Sequence, residues 1–200
     1  MPLTGTFKFV KIPADTKQPV ELVEADKKGG LEDDALVKHA KNYFHVMTGA
    51  KERADRLEGA GPTERSVLAS QIRNQLSGSS PDMANRLAEM DDDTVLNVIY
   101  KSQSQPACEI VALTVPCAGN NYQAVSLYSA ENAKEYGLQP NTRATAILTA
   151  CGHTGEVVGD AFVGRASDNE ATDIWERIDF DESDADPQAA WCVTARSQGG

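Results

Sequence analysis

The sequence predicts an α+β protein in which an N-terminal helical layer packs on a C-terminal, mostly antiparallel sheet. Apolar residues recur at helical spacing within residues 1–105, whereas after Pro106 their period changes to two. The charge changes at about the same place. Residues 1–105 hold 14 Lys and Arg against 16 Asp and Glu, and residues 106–200 hold 5 against 14. We therefore expect a strand plus helical region over 1–105, a β-rich region over 106–196 and a short tail over 197–200.

The N-terminal region is predicted to begin with a strand and to continue with an amphipathic helix. Residues 6–12 are rich in aromatic and β-branched side chains and are followed by Pro13, which ends a strand. Residues 14–30 are polar and finish with two glycines, so we expect a loop there. Between Leu36 and Met47 the apolar side chains have helical spacing. Three acidic residues precede them, where the helix dipole favours negative charge.

Several short helices are predicted to follow. Residues 50–57 fit one short helix, and Thr63 can cap the next. A Ser-Pro-Asp sequence at 80–82 is a strong start for another helix, and Asp91 or Asp92 begins the last one. Helices this short must pack on each other to be stable.

The C-terminal region is predicted to be built from short antiparallel strands. Residues 109–115 alternate between apolar and polar side chains, and the turn-forming residues 118–121 connect them to a second strand that ends near Tyr128. In a two-layer fold, one face of such a sheet is covered by the helices. Further strands are expected over 143–151, 156–164 and 174–180, with a final strand or helix over 189–196.

The composition limits the partners and the environment that the sequence favours. With 40% hydrophobic residues among 200, the chain can bury a core. A formal net charge of -11 argues against non-specific binding to nucleic acids or anionic membranes, because both are negative. It favours basic protein partners or divalent cations. The first residues lack the pattern of a secretory signal and the four cysteines are widely spaced, so we expect a cytoplasmic protein with reduced thiols.

Cys151 and His153 form the sharpest candidate for a metal site. On a strand, residues two apart point to the same side, and a Cys thiolate beside a His imidazole is ordinary zinc chemistry. Cys117 and Cys192 could complete a four-ligand zinc site. Structural zinc sites usually have two close Cys/His pairs and this sequence has one, so a buried free cysteine is the competing interpretation. Residues 179–186 begin like a calcium loop but lack its glycine and final glutamate, which leaves a non-standard cation site or a solvated acidic face.

The same Cys and His also allow a cysteine-based enzyme, with Cys151 as the nucleophile and His153 as the base. Such a pair needs the imidazole within hydrogen-bond distance of the sulfur and a third group to orient it. The local signatures of cysteine proteases are absent from the sequence. We therefore predict no catalytic residue.

Trp175, Arg177 and Asp179 alternate on one face of a predicted strand and indicate a partner-binding surface. A Trp beside an Arg is the composition that is enriched at binding hot spots. Asp168 and Glu170 add negative charge nearby, which suits either a solvated face or a docking surface for a basic partner. The alternative is that Trp175 is buried against the helical layer with Arg177 stacked on it.

The last third of the sequence also shows a resemblance to known proteins. The segments that carry it are GDAFVGR at 159–165, DNE at 168–170, WERIDF at 175–180 and AW at 190–191. They resemble the C-terminal part of uncharacterised proteins from algae and other protists. Some of those proteins also contain a MYND zinc finger, a protein-interaction module that needs more cysteines than the four in this chain. The resemblance implies an interaction role and no catalytic residue.

Together these observations predict a cytoplasmic, non-enzymatic interaction or adaptor protein with an acidic surface centred on Trp175 and Arg177. The first alternative is a zinc-binding protein or metal-dependent enzyme that uses Cys151 and His153. The second alternative is a cysteine-based enzyme. The leading prediction needs no cofactor, whereas the first alternative needs zinc.

Overall fold

The computed structural model describes residues 5–27, 34–77, 81–97, 108–114, 122–169, 172 and 174–198. Within these residues the protein is α+β, with seven α-helices and six strands that form one antiparallel sheet. The chain divides into two compact units, Met1–Phe44 with Ala107–Gly200, and His45–Pro106. The α+β prediction is confirmed. The strands come from both ends of the chain, however, so a simple division into N-terminal helices and a C-terminal sheet does not describe the fold.

The sheet contains two strands from the N-terminal part and four from the C-terminal part. The strands are β1 Thr6–Ile12, β2 Glu21–Asp26, β3 Cys108–Ala112, β4 Tyr122–Ala130, β5 Ala161–Asn169 and β6 Ile174–Ile178. Their order is β2-β1-β5-β4-β3, and β6 also pairs with β5. β1 pairs with the first residues of β5 and β6 with its last five, so strands from both ends of the chain meet on one edge of β5.

Most strands lie where the sequence predicts them. β1 is confirmed, and β3 and β4 form the predicted antiparallel pair, whose connecting turn at 118–121 lies outside the described residues. β2 was missed inside the predicted loop 14–30. It pairs only with β1 among the described strands and is largely exposed, so it has little of the apolar alternation that identifies a strand. β5 begins five residues later than predicted, because Gly159 makes a turn at φ 79° just before it.

The segment 143–151 was predicted as a strand, and this prediction is wrong. Thr142–Ala150 is a helix, which we call α6. The β-branched residues of the segment favoured a strand, but the buried positions have the spacing of a helix face. Those buried positions are Ala144, Ile147, Leu148 and Cys151.

Asn141 determines where α6 begins. Its side-chain oxygen accepts a hydrogen bond from the backbone N–H of Ala144 at 3.0 Å, which is the geometry of an N-terminal cap. Its Nδ2 donates to the carbonyls of Ile12 at 2.8 Å and of Gly159 at 3.0 Å. One fully buried Asn therefore joins α6 to β1 and to the turn before β5.

Helices cover both faces of the sheet. The helix α1, Ala35–Met47, lies on one face, where the rings of Phe9, Phe44 and Phe162 pack together. The helix α6 and the C-terminal helix α7, Ala190–Gln198, lie on the other. We call these the α1 face and the α6–α7 face. The apolar cluster of the α6–α7 face includes Val10, Ile12, Val125, Leu127, Ile147, Val163 and Phe180.

Gly164 of β5 allows α1 to approach the sheet closely. A Cβ atom at this position would lie 2.3 Å from Cδ1 of Leu36 and 3.5 Å from Cβ of Phe9. The first distance is far shorter than a van der Waals contact. The packing of α1 on the sheet therefore requires glycine at position 164, because any side chain there would meet Leu36.

The described residues of the second unit form four further helices, α2 Ala50–Gly59, α3 Pro62–Ser77, α4 Pro81–Glu89 and α5 Asp92–Val95. The helix starts predicted near residues 50, 81 and 91 are confirmed, but α3 begins at Pro62, so Thr63 lies within the helix and is not its cap. The guanidinium of Arg73 donates to the carbonyls of Leu87 and Met90 and pairs with Asp92 at 2.6 Å, which joins α3 to the end of α4. None of the helices in the described residues is long and apolar enough to cross a membrane.

Candidate partner-binding surface

Trp175 lies on β6, directly opposite Asp168 of β5. The residue is half-buried, so part of the indole remains exposed. The guanidinium carbon of Arg177 lies 5.0 Å from the centre of the indole ring, on the same side of the strand. A cation at this distance attracts the ring and restrains it. The surface therefore presents a partly exposed Trp that is supported from within by an Arg.

Arg177 lies beneath this surface, and only 6% of it is exposed. Its Nε donates to Oδ1 of Asp34 at 3.1 Å, and its Nη2 donates to Oδ2 of Asp34 and to the hydroxyl of Tyr128 at 2.6 Å. The sequence predicted Arg177 on the partner-facing surface. In the structure its guanidinium is instead bonded to a buried carboxylate and a phenol, so Arg177 can position Trp175 but is itself buried.

Sequence reasoning missed Asp34 and Tyr128 as parts of this arrangement. Asp34 also begins α1, because its Oδ1 accepts the N–H of Leu36 at 3.0 Å. The acidic run before α1 indicated that role, but nothing local indicates a partner 143 residues away. Burial raises the pKa of the Tyr128 hydroxyl, against the opposing effect of Arg177, so the phenol is neutral at physiological pH and accepts the hydrogen bond.

Acidic residues lie next to Trp175 across the strand pair and along its own strand. Asp168 is its neighbour across the strand pair. Asp179 is exposed and accepts a backbone N–H of β1 at 2.9 Å. Glu176 forms an ion pair of 3.2 Å with the lysine that follows β2. Glu170, the remaining residue of the predicted surface, lies outside the described residues.

Cys151 and Cys192 come together on the α6–α7 face. They are 4% and 0% exposed and belong to one apolar cluster. Sγ of Cys192 donates to the carbonyl of Asp186 at 3.5 Å. Burial raises the pKa of both thiols, that of Cys192 to about 12. Neither thiol therefore has the low pKa of an activated nucleophile.

His153 does not share a strand with Cys151. Cys151 directly follows α6, and the backbone N–H of His153, in the next turn, donates to the carbonyl of Leu148 at 3.2 Å. Cys117 lies outside the described residues. Within the described part of the chain, no group of three or more His, Cys, Asp and Glu side chains is placed to hold a metal ion. The zinc site thus stays a prediction that would need Cys117.

A second polar network lies between α1 and the sheet and was not predicted. The hydroxyl of Tyr43 donates to Oδ2 of Asp160, and Nζ of Lys11 lies 3.5 Å from the same carboxylate oxygen and 5.0 Å from the centre of the Tyr43 ring. Burial and the hydrogen bond to Asp160 raise the pKa of Tyr43 to about 12. Tyr43 is therefore a neutral anchor for α1 and is not suited to act as a base near pH 7.

No protein-family model, curated protein or solved structure matches this chain. The function is therefore inferred from the chemistry of its own residues.

Proposed function

We propose that this protein is a non-enzymatic interaction protein that binds a basic segment of a partner on the surface around Trp175. The observation that carries the proposal is the indole of Trp175, which is partly exposed and lies 5.0 Å from the guanidinium of the buried Arg177. A Trp side chain that is already ordered loses little conformational freedom on binding. This is one reason why Trp dominates many binding hot spots.

The support beneath Trp175 is rigid. Arg177 is held by both oxygens of Asp34 and by Tyr128, and Asp34 is itself the first-turn cap of α1. Buried, fully paired polar groups of this kind have few alternative arrangements. The indole therefore has a defined orientation before a partner arrives.

The charge around Trp175 favours a basic partner. Residues 106–200 hold 14 acidic side chains against 5 basic ones. Asp168 is the cross-strand neighbour of Trp175, and Asp179 is exposed near the end of the same strand. An arginine of a partner can stack on an indole and donate to a carboxylate at the same time. Opposite charges also speed the encounter at low salt.

Reactive side chains of the described residues are engaged with one another, which supports a binding role over a catalytic one. Tyr43 is bound to Asp160 and Arg177 to Asp34, and Cys151 is buried in an apolar cluster. The pKa values of Tyr43 and of both thiols are raised, away from those of a base or nucleophile that acts near pH 7.

The proposal can be tested by fluorescence titration of a protein with one Trp. Trp191→Phe leaves Trp175 as the only indole, because the chain has two Trp. The probes are three synthetic peptides of equal length that alternate Ser with Arg, with Lys or with Glu. We expect a saturable change in Trp175 fluorescence with the Arg peptide, a weaker one with the Lys peptide and none with the Glu peptide. Binding should weaken as salt is raised.

The control variants separate the indole from the general negative charge. Asp168→Asn should weaken binding of the Arg peptide severalfold, whereas Asp55→Asn, an exposed acid on α2 of the other unit, should not change it. Equal affinity for the Arg and Glu peptides, or no saturable binding of the Arg peptide by folded protein, would overturn the proposal.

A further inference from the structure

We propose that a groove along the exposed side of α6 binds a small organic anion with an apolar body, of which a medium-length fatty acid is the simplest example. The groove is an open cavity of about 580 Å³, lined by α6, by Arg196 of α7 and by Glu156 in the segment that follows α6. Sites for small molecules typically measure about 300–1,000 Å³. Trp175 does not line the groove, so the proposal does not depend on the proposed partner-binding function.

The exposed side of α6 carries small, uncharged side chains that suit contact with an apolar ligand. Thr142, Ala146 and Thr149 are exposed and line the groove. On a surface helix, this side usually carries charged residues. The one charged residue of α6, Arg143, is engaged elsewhere, because its guanidinium donates to carbonyls of the loop after β1. The methyl groups of Ala146 and of the threonines therefore give the groove an apolar wall.

Arg196 gives the groove a positive charge that is available to a ligand. Residues 106–200 contain only five basic side chains. Four of them are already engaged, namely Lys134 with Glu156, Arg143 with backbone carbonyls, Arg165 with Asp184 and Arg177 with Asp34. Among the residues that the structure describes, the guanidinium of Arg196 has neither a hydrogen bond nor an ion pair. The fifth basic side chain of this acidic half of the chain is thus the one that lines the groove.

A carboxylate fits this arrangement better than a cation does. The planar guanidinium of Arg196 can donate two parallel hydrogen bonds to the two oxygens of a carboxylate. An ammonium group would meet the same guanidinium with like charge, and the acidic residue of the lining, Glu156, is already paired with Lys134 at 3.0 Å. Because the chain has a net charge of -11 and repels anions overall, a site for an anion must supply its own positive charge.

The walls of the groove are held in place before a ligand arrives. The hydroxyl of Thr145 accepts the backbone N–H of Val157 at 3.0 Å, and the backbone N–H of Asn141 donates to the carbonyl of Val157 at 2.8 Å. These two bonds tie the segment next to Glu156 to the beginning of α6. A preformed site loses less conformational freedom when it binds, and most small-molecule sites are largely preformed.

The test is a titration of the full, isotope-labelled chain with octanoate, followed by the chemical shifts of backbone amides in NMR spectra. Octylammonium and acetate are the comparison probes, because the first reverses the charge and the second lacks the apolar tail. We expect octanoate to shift the amide signals of Ala146, Thr149 and Arg196 in a saturable manner. Acetate should bind much more weakly, and octylammonium should give no saturable shift at these positions.

Two pairs of variants make the result specific. Ala146→Leu fills the groove from an exposed position and should abolish saturable binding, whereas Ala190→Leu, at an exposed alanine of α7 outside the lining, should not change it. Arg196→Gln should weaken octanoate binding about three- to fivefold, which is the loss expected for an exposed ion pair. Arg86→Gln, which also removes an arginine from the last turn of a helix, should leave binding unchanged.

Three results would refute the proposal, provided that circular dichroism shows each variant to be folded. The first is an octanoate response that does not saturate. The second is equal affinity for octanoate and octylammonium, or unchanged octanoate binding by Arg196→Gln. The third is self-association, seen by light scattering, that Ala146→Leu abolishes while octanoate does not bind, because the groove would then be a contact between copies of the chain.

Discussion

Arg177 and Arg165 lie on opposite faces of the sheet and make different kinds of contact. Arg177 on the α1 face is 6% exposed and is bonded to both oxygens of Asp34 and to Tyr128. Arg165 on the α6–α7 face has 17% of its side chain exposed and lies 3.5 Å from the carboxylate of Asp184. Its guanidinium carbon also lies 5.2 Å from the centre of the Phe180 ring.

The contacts on the two faces therefore contribute to the structure in different ways. Apolar packing on the α6–α7 face is non-directional and stabilises the fold in proportion to the area buried. The polar contacts of the α1 face are directional, so they determine where α1 and the neighbouring Trp175 lie. We infer that the buried polar contacts of the α1 face orient Trp175, and that the apolar cluster of the α6–α7 face mainly supplies stability.

The largest loss of unfolding free energy is expected when the buried ion pair between Arg177 and Asp34 is broken. Arg177→Met leaves the carboxylate of Asp34 buried without its partner, and such a change typically costs about 3–5 kcal/mol of unfolding free energy. Arg165→Met is the matched control, because it removes a longer and more exposed ion pair and should cost about 1 kcal/mol or less. Urea unfolding of both variants measures the difference.

A double variant sharpens this result. If the cost of Arg177→Met comes from the unpaired carboxylate, adding Asp34→Asn should recover part of the loss, because the amide is neutral and can still cap α1. Equal losses for Arg177→Met and Arg165→Met would contradict the contrast between the two faces.

The next largest loss of unfolding free energy is expected from a steric clash where α1 packs on β5. Gly164→Ala places a Cβ 2.3 Å from Cδ1 of the buried Leu36, so this side chain must repack or α1 must shift, and we expect a loss of about 1–3 kcal/mol of unfolding free energy. Gly61→Ala is the control, because a Cβ there has nothing within 4 Å and the φ angle is an ordinary one. Combining Gly164→Ala with Leu36→Ala should cost less than the sum of the two single changes, and thermal unfolding can measure this coupling.

A smaller change in the unfolding free energy is expected from the Tyr43 network at alkaline pH. The pKa of a Tyr in the unfolded chain is about 10, whereas burial and the bond to Asp160 raise that of folded Tyr43 to about 12. The unfolded state therefore loses its proton first as the pH rises. The stabilising contribution is complete below pH 10 and is lost between these two values.

The measurement is urea unfolding at a series of pH values. Tyr43→Phe should reduce the decline of the unfolding free energy with pH. Tyr136→Phe, at an exposed position, should leave it unchanged. An identical decline in the Tyr43→Phe variant would show that Tyr43 is not responsible for it.

The sequence predicted those parts of the fold that depend on local patterns. The strand β1 and the helix α1 have clear periodicities, and the second unit is marked by Pro and Asp at its helix starts. The helix α6 was missed because its Thr and Ile favoured a strand, although Ala144, Ile147 and Leu148 already had helical spacing. The spacing of apolar residues over a longer stretch of sequence would have favoured the helix.

The candidate surface was predictable only in part. The alternation of Trp175 and Arg177 correctly predicted a strand with both side chains on one side of it. The burial of Arg177 was not predictable, because it depends on Asp34, which is 143 residues away and joins it only in the folded chain. The burial of Cys151 and Cys192 in one apolar cluster is equally non-local, since it requires α6 and α7 to pack side by side.

The most direct test of the account compares the two tryptophans. Both are half-buried, but Trp175 lies on the proposed surface, whereas Trp191 packs on Phe180 and donates to the carbonyl of Asp184 at 2.8 Å. Binding of the alternating Arg–Ser peptide is measured by calorimetry on Trp175→Ala and Trp191→Ala, with circular dichroism to confirm that each variant is folded. We predict that folded Trp175→Ala binds at least about tenfold more weakly, while Trp191→Ala binds like the unchanged protein. Unchanged binding by Trp175→Ala would contradict the assignment of this surface.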